Sequence, residues 1–369
     1  MIEATLSYAP PEVSPPGETL RELMEERNLS QAELSRRLGR PVQAINEIVA
    51  GKKEITEVTA LELERVLQVP ARFWLAREAR YREYLARLRD VASRKDHIQW
   101  LDTFPIKALQ DLGKLSPGRL TPAFKAQLVD ELLRFFGVAS PDGCAAQYSS
   151  VQAAFRRARP DKQTDNAAIT AWLRMGEIAA EHVTTSAYSA DALTAALPAL
   201  RALTVCDAAR IVSELRRLTA QAGVVLVFVP ALPGAHVSGV ARWLNDRPLI
   251  QLSLLGKWND GFWFSFFHEV AHILKHPKRA VFLDDAASGA AAESPEEQEA
   301  NRFAADVLIP PRYAPRIKAL PLERASVVAF AEHIGIHPGI VVGRLQHGKR
   351  LGYAHALTTL KARYEFMPS

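Results

Sequence analysis

Two histidines stand four residues apart in His268-Glu269-Val270-Ala271-His272, with a glutamate between them. On a helix, positions four apart share a face, so both imidazoles can take hold of one zinc ion. Glu269 is then placed to remove a proton from a water that the metal holds. This H-E-x-x-H pattern, in its residue types and spacing, suits zinc-dependent hydrolysis of a peptide bond. The flanking Phe264, Phe267, Val270, Ile273 and Leu274 are apolar, which predicts a core helix. Ionisable groups inside a core need a partner or a metal.

A catalytic zinc takes a third protein ligand and keeps a fourth position open. The metzincin pattern would put Gly at position 275 and His at position 278. Both positions are Lys, which excludes that arrangement. The next acidic segment, 294–310, predicts a helix. Ser294 can cap its start, Pro295 suits its first turn, and Pro310-Pro311 ends it. Ala300, Phe303, Ala304, Val307 and Leu308 recur at helical spacing. Glu297 shares a face with Ala300, Ala304 and Val307 and is the expected third ligand. Glu299 and Glu296 compete for that role, because acidic residues in a first turn also complement the helix dipole. His276 lies one turn beyond His272; it extends the site or, in the preferred reading, is a basic residue near a helix C-terminus. Arg344 and His347 are candidates for stabilising an oxyanion.

These side chains need elements to hold them. Residues 224–229 predict a buried strand. Two more, at 238–244 and 248–253, join through Asn245-Asp246-Arg247 in a small antiparallel sheet. An exposed strand there can receive an extended peptide by strand addition. Residues 284–295 predict a loop over the site. The middle of the chain predicts helices at 105–113, 121–136, 149–158, 165–181 and 190–221. Phe155-Arg156-Arg157 and the run Trp172-Leu173-Arg174-Met175-Gly176-Glu177 stand out in it, with packing as their expected role.

The front of the chain predicts short amphipathic helices at 17–27, 29–39, 41–51 and 56–67. A capping box is expected between Ser30 and Glu33. Short helix, tight turn, short helix is the helix-turn-helix layout. Its second helix would lie in the DNA major groove, with Gln43 and Asn46 suited to adenine. Gln31, Arg40, Lys52 and Lys53 are better placed for phosphates. A further helix, 71–95, is rich in arginine and predicts a solvated linker.

Residues 15–90 resemble the Cro/C1-type helix-turn-helix of the XRE family, and HigA-like antidotes in particular. The residues that carry this are Pro16-Gly17-Glu18, Leu29-Ser30-Gln31-Ala32-Glu33-Leu34, Ile45-Asn46-Glu47-Ile48, Gly51-Lys52-Lys53 and Pro70-Ala71-Arg72-Phe73-Trp74-Leu75. Residues 210–350 resemble the ImmA/IrrE-type zinc metallo-endopeptidases through Ser238-Gly239, Phe262-Trp263-Phe264, the histidine motif and Glu299-Ala300-Asn301-Arg302-Phe303-Ala304-Ala305. The resemblance implies zinc on His268 and His272, a carboxylate ligand within 297–301, and Glu269 as general base. It also implies a regulator that binds an operator in double-stranded DNA, as a homodimer, and cleaves a protein substrate such as a repressor. The rival expectation is a non-proteolytic DNA-binding sensor or HigA-like antitoxin whose zinc domain senses metal, stress or a partner.

The 369 residues, 48% of them hydrophobic, can bury sizeable cores. The expected division is a helix-turn-helix domain with linker helix at 1–95, a helical middle at 96–208 and a peptidase domain at 209–369. The expected fold class is mainly α, with a small α+β C-terminal domain of zincin type. Cys144 and Cys206 have no zinc-ligand spacing and suggest a reducing compartment. No apolar run of membrane length and no signal-peptide pattern are seen, so a cytoplasmic protein without membrane association is expected. The net charge of +5 is compatible with DNA, although the front helices are themselves rich in Glu.

Overall fold

A computed structural model describes residues 12–149, 166–253, 258–277, 282–284 and 294–364. The helix expected at 149–158, with Phe155-Arg156-Arg157, and the loop expected at 284–295 lie almost wholly outside the described residues. The chain divides between His97 and Ile98 into two compact units. The architecture is mainly helical with one small sheet, the fold class expected.

The first unit consists of α1 (Pro16–Glu26), α2 (Gln31–Leu38), α3 (Val42–Val49), α4 (Glu57–Leu67) and α5 (Ala71–Arg94). Each helix gives its apolar stripe to one core, in which Leu20, Leu34, Ile45, Leu63 and Trp74 are fully or almost fully buried. The Ser30 hydroxyl accepts the Glu33 N–H at 3.1 Å and so caps α2. The serine half of the expected capping box is realised, while the Glu33 carboxylate turns to Arg36 and Arg37. The Ser35 hydroxyl donates to the Arg40 carbonyl and closes the tight turn between α2 and α3. Buried Glu78 on α5 accepts the Ile55 N–H at 3.0 Å, tying the loop before α4 to the last helix.

The second unit is built on a sheet of β1 (Val225–Phe228), β2 (Gly239–Leu244), β3 (Arg247–Leu252) and β4 (Phe282–Asp284), in the order β1-β3-β2-β4. The antiparallel pairing expected holds for β2 with β3, and β4 pairs with β2 in the same sense. β1 departs from it by pairing with β3 in parallel. The β2–β3 hairpin places β3, not β2, beside β1, and the reversal of direction within the hairpin leaves β3 running the same way as β1.

Both faces of this sheet are covered. Val225, Val227, Val240 and Leu249 pack on α6 (Pro122–Phe136) and α7 (Asn166–Glu181). Leu226, Ala241, Ile250 and Leu252 share the other core with α8 (Ala190–Ala202), α9 (Ala208–Gln221), α10 (Asn259–Lys275), α11 (Pro295–Leu308), α12 (Arg324–Ile334) and α13 (Pro338–His347). Burial on two sides explains the unbroken apolar run of β1. The helix expected at 190–221 is in fact two helices. A short 3₁₀ turn at Leu203–Val205 ends the first, and the Asp207 carboxylate caps the second through the Arg210 N–H.

The run from Trp172 to Glu177 is the seam between α7 and the sheet. Buried Arg242 of β2 donates to Glu177 and to the Leu173 carbonyl, both at 2.7 Å. Gln251 of β3 donates to the Trp172 carbonyl at 2.7 Å. The Trp172 indole N–H donates to the Val229 carbonyl at 3.2 Å. Among the described residues no single helix is long and apolar enough to cross a membrane.

Candidate metal centre and nucleic-acid interface

α10 is the central helix of the second unit. Its aromatic residues Trp263, Phe266 and Phe267 are fully buried, and they fix the helix against the sheet and its neighbours. Near its start, α13 approaches closely. A Cβ at Gly343 would collide with the Asp260 carboxylate, so glycine is what permits this packing. The first residue of α10, Asn259, binds the His337 ring at 2.7 Å, and Asp260 pairs with Lys361 at 2.6 Å.

The anchored helix presents His268, Glu269 and His272, all at most 2% exposed, toward α11. The two Nε2 atoms stand 2.9 Å apart. Ser294 caps α11 through the Glu297 N–H at 3.3 Å, and buried Ala300 and Ala304 let the two helices pack closely. The Glu297 carboxylate then reaches 3.1 Å from His268 Nε2 and 3.6 Å from His272 Nε2. Tetrahedral zinc with ligands at about 2.0–2.1 Å holds neighbouring ligand atoms ~3.3 Å apart. The three donor atoms, two imidazole nitrogens and one carboxylate oxygen, therefore fit such an ion in type and spacing.

The competing glutamates lie elsewhere. Glu299 Oε2 is 3.4 Å from His276 Nε2. Glu296 remains at the start of α11, where its own backbone N–H and the Ser294 hydroxyl hold its carboxyl below the ordinary carboxylate range. His268 Nδ1 lies 3.0 Å from Asn301 Oδ1, and His272 Nδ1 lies 2.8 Å from His276 Nδ1. A neutral imidazole that donates through one nitrogen offers a lone pair on the other. Burial, and then the nearby His268 and His276, push the His272 ring down to about 2, so it stays neutral. Sequence reasoning misses Asn301 as a partner of His268; the available signal is the four-residue spacing from Glu297, which places both on one face of α11.

Glu269 is fully buried against β2. A Cβ at Gly239 would lie 2.7 Å from Glu269 Oε1 and 2.9 Å from Leu252 Cδ2. The strand backbone thus borders the carboxylate directly, and the glycine makes room for it. Arg344 and His347 are exposed on α13.

In the first unit, Gln43, Asn46, Lys52 and Lys53 are exposed on and just beyond α3, and Gln31 is half-buried at the start of α2. Gln43 donates to Glu47 at 3.2 Å. Arg40 is held by Glu62 at 2.5 Å, with its side chain about a quarter exposed (23%).

Residues 20–74 match the helix-turn-helix family, and residues 226–345 match the IrrE N-terminal-like domain, a peptidase family. No curated protein matches the chain. Among solved structures, an addiction module antidote protein of a HigA family from Coxiella burnetii is 30% identical. That likeness covers 20% of this chain and 83% of the antidote, with a TM-score of 0.20. The chain therefore joins an XRE-type helix-turn-helix domain to a peptidase-family domain of the IrrE/ImmA-like kind.

Proposed function

We propose that this protein is a DNA-binding regulator whose second unit is a zinc-dependent endopeptidase acting on a regulatory protein such as a repressor. The observation that carries the reading is the convergence of His268, His272 and Glu297 beside the buried Glu269. His268, His272 and Glu297 hold the zinc. A zinc ion bound there lowers the pKa of water and polarises a peptide carbonyl. Glu269 takes the proton of the attacking water and returns it to the leaving amine. Apolar neighbours on α10 keep bulk water from the base, and Gly239 sets where its carboxylate rests. The division at 209–369 describes the peptidase domain, with the helices of 96–208 covering the far side of its sheet.

In the first unit, α3 enters the major groove of an operator, with Gln43 and Asn46 on base edges. Gln31, Arg40, Lys52 and Lys53 meet phosphates, Arg40 after leaving Glu62. Two copies bind the two half-sites. The setting is the cytoplasm.

The test is a comparison of Glu269→Gln with His268→Ala in the full chain, reading zinc content by elemental analysis and regulation of the protein's own promoter in cells. Zinc is expected to remain in the first and to be lost from the second, with regulation failing in both. A Glu269→Gln protein that regulates normally would establish the sensor reading instead.

A further inference from the structure

The proposed zinc ligands differ in what stands behind them. His268 meets the neutral amide of Asn301, whereas His272 meets a second imidazole that faces a carboxylate. We propose that His276 and Glu299 are positioning residues, which fix the proton of His272 on Nδ1 and so hold its Nε2 lone pair toward the metal. This inference rests on the zinc reading above.

The chain of contacts has one direction. Glu299 lies at its outer end and, as a carboxylate, only accepts. The His276 nitrogen facing it at 3.4 Å, Nε2, must therefore be the donor. In a neutral imidazole the other nitrogen then accepts. That nitrogen, His276 Nδ1, faces His272 Nδ1 at 2.8 Å, so His272 donates there. The remaining His272 nitrogen, Nε2, carries its lone pair, and it is this atom that faces His268 and Glu297. Were the polarity reversed, a proton on His272 Nε2 would point at the metal position.

The geometry suits positioning. His276 sits one turn beyond His272, where α10 ends, with only 4% of its side chain exposed, so it has little freedom to turn away. The Glu299 side chain is 52% exposed and can be changed without opening the core. Its carboxylate lies at His276, one turn away from the two ligand nitrogens. Partners behind a metal-bound histidine set its tautomer and raise its basicity, and their loss commonly costs about 10–100-fold in metal affinity.

The experiment measures zinc affinity of the full chain by competition with a chromogenic chelator, with the melting temperature of the metal-free protein recorded for every variant. His276→Leu is expected to weaken zinc about 10–100-fold. His276→Asn, whose side-chain oxygen can accept from His272 Nδ1, is expected to stay within a few-fold of the wild type. Glu299→Gln is expected to fall between them, with an unchanged melting temperature. Equal affinity in the wild type, His276→Leu and Glu299→Gln would overturn the proposal, as would equal losses in His276→Leu and His276→Asn. If His276→Leu does not fold, Glu299→Gln and His276→Asn decide: the proposal stands if Glu299→Gln binds zinc more weakly than His276→Asn and falls if it binds as the wild type does. A wild-type chain that takes up no zinc would instead overturn the zinc reading itself, and this proposal with it.

Discussion

Glu33 in the first unit and Glu177 in the second both face two arginines, yet they stand in opposite surroundings. Glu33 lies on the surface of α2, paired with Arg36 and Arg37 of its own helix. Bonds from Arg37, aided by Arg36, hold its carboxyl below the ordinary range. Glu177 lies between α7 and the sheet, 2.7 Å from Arg242 and 3.0 Å from Arg174, and it also accepts from Tyr148. Burial works against its ionised form, but Arg242 and its other partners outweigh it, and this carboxyl too is held low. The first pairing is local and interchangeable with water. The second joins two elements far apart in sequence, so its removal strands charges that have little solvent to turn to.

The largest expected effect follows from that contrast. Glu177→Ala leaves Arg242 buried and short of its anion, and the variant should lose about 3–5 kcal/mol of stability in denaturant unfolding. Glu33→Ala should leave the unfolding midpoint where it is. Because the folded carboxyl of Glu177 titrates below its unfolded value, its contribution is full above the ordinary carboxylate range and is lost as pH falls through the lowered folded value. Equal effects of the two substitutions would remove the distinction between the regions.

The second effect is catalytic. Gly239→Ala puts a methyl group 2.7 Å from Glu269 Oε1, and the neighbouring Leu252 at 2.9 Å closes the way out. The carboxylate must move by a good fraction of an ångström, and a misplacement of that order costs roughly 100-fold in rate. Zinc content should be unchanged, because the close neighbours of that methyl group include none of the three proposed ligands. Peptidase assays on the variant, with metal analysis alongside, check both halves; full activity would mean that the base tolerates displacement.

What can be read without coordinates follows the same division. His268 and His272 are visible because one helix turn relates them, and Glu297 because the apolar spacing of its helix fixes which face turns inward. The contacts between helices are hidden. His276 reads most simply as a basic residue at a helix end, because nothing in its spacing tells that its ring nitrogen lies 2.8 Å from that of His272. Glu299 competes with Glu297 on paper because both are acidic and close in sequence, although two residues of helix turn them to different sides. Only the position of α10 decides which carboxylate reaches the histidines. The middle of the chain is legible as helices but not as the cover of a sheet. The continuous apolar run of β1 carries no alternation to reveal a second buried face or a parallel neighbour. In the first unit the helices are placed closely, since their caps and stripes are local signals, while the pairing of Arg40 with Glu62 spans 22 residues and leaves no such trace.

The smallest expected effect belongs to the exposed surface. Lys53 lies just past α3 and is open to solvent, so Lys53→Gln should leave the folded state essentially as it is. If it meets a DNA phosphate, its charge releases about one counterion on binding, and the slope of log affinity against log salt should fall by about 0.9. Gln43→Ala should differ in kind, weakening discrimination at one base pair by about 1–3 kcal/mol while leaving the salt slope alone. Titrations of operator and random duplex at several salt concentrations separate the two. If Lys53→Gln changed sequence preference, or Gln43→Ala changed the slope, then α3 would not be lying in the groove as proposed, and the surface around Glu47 and Glu62 would have to be reconsidered as facing away from DNA.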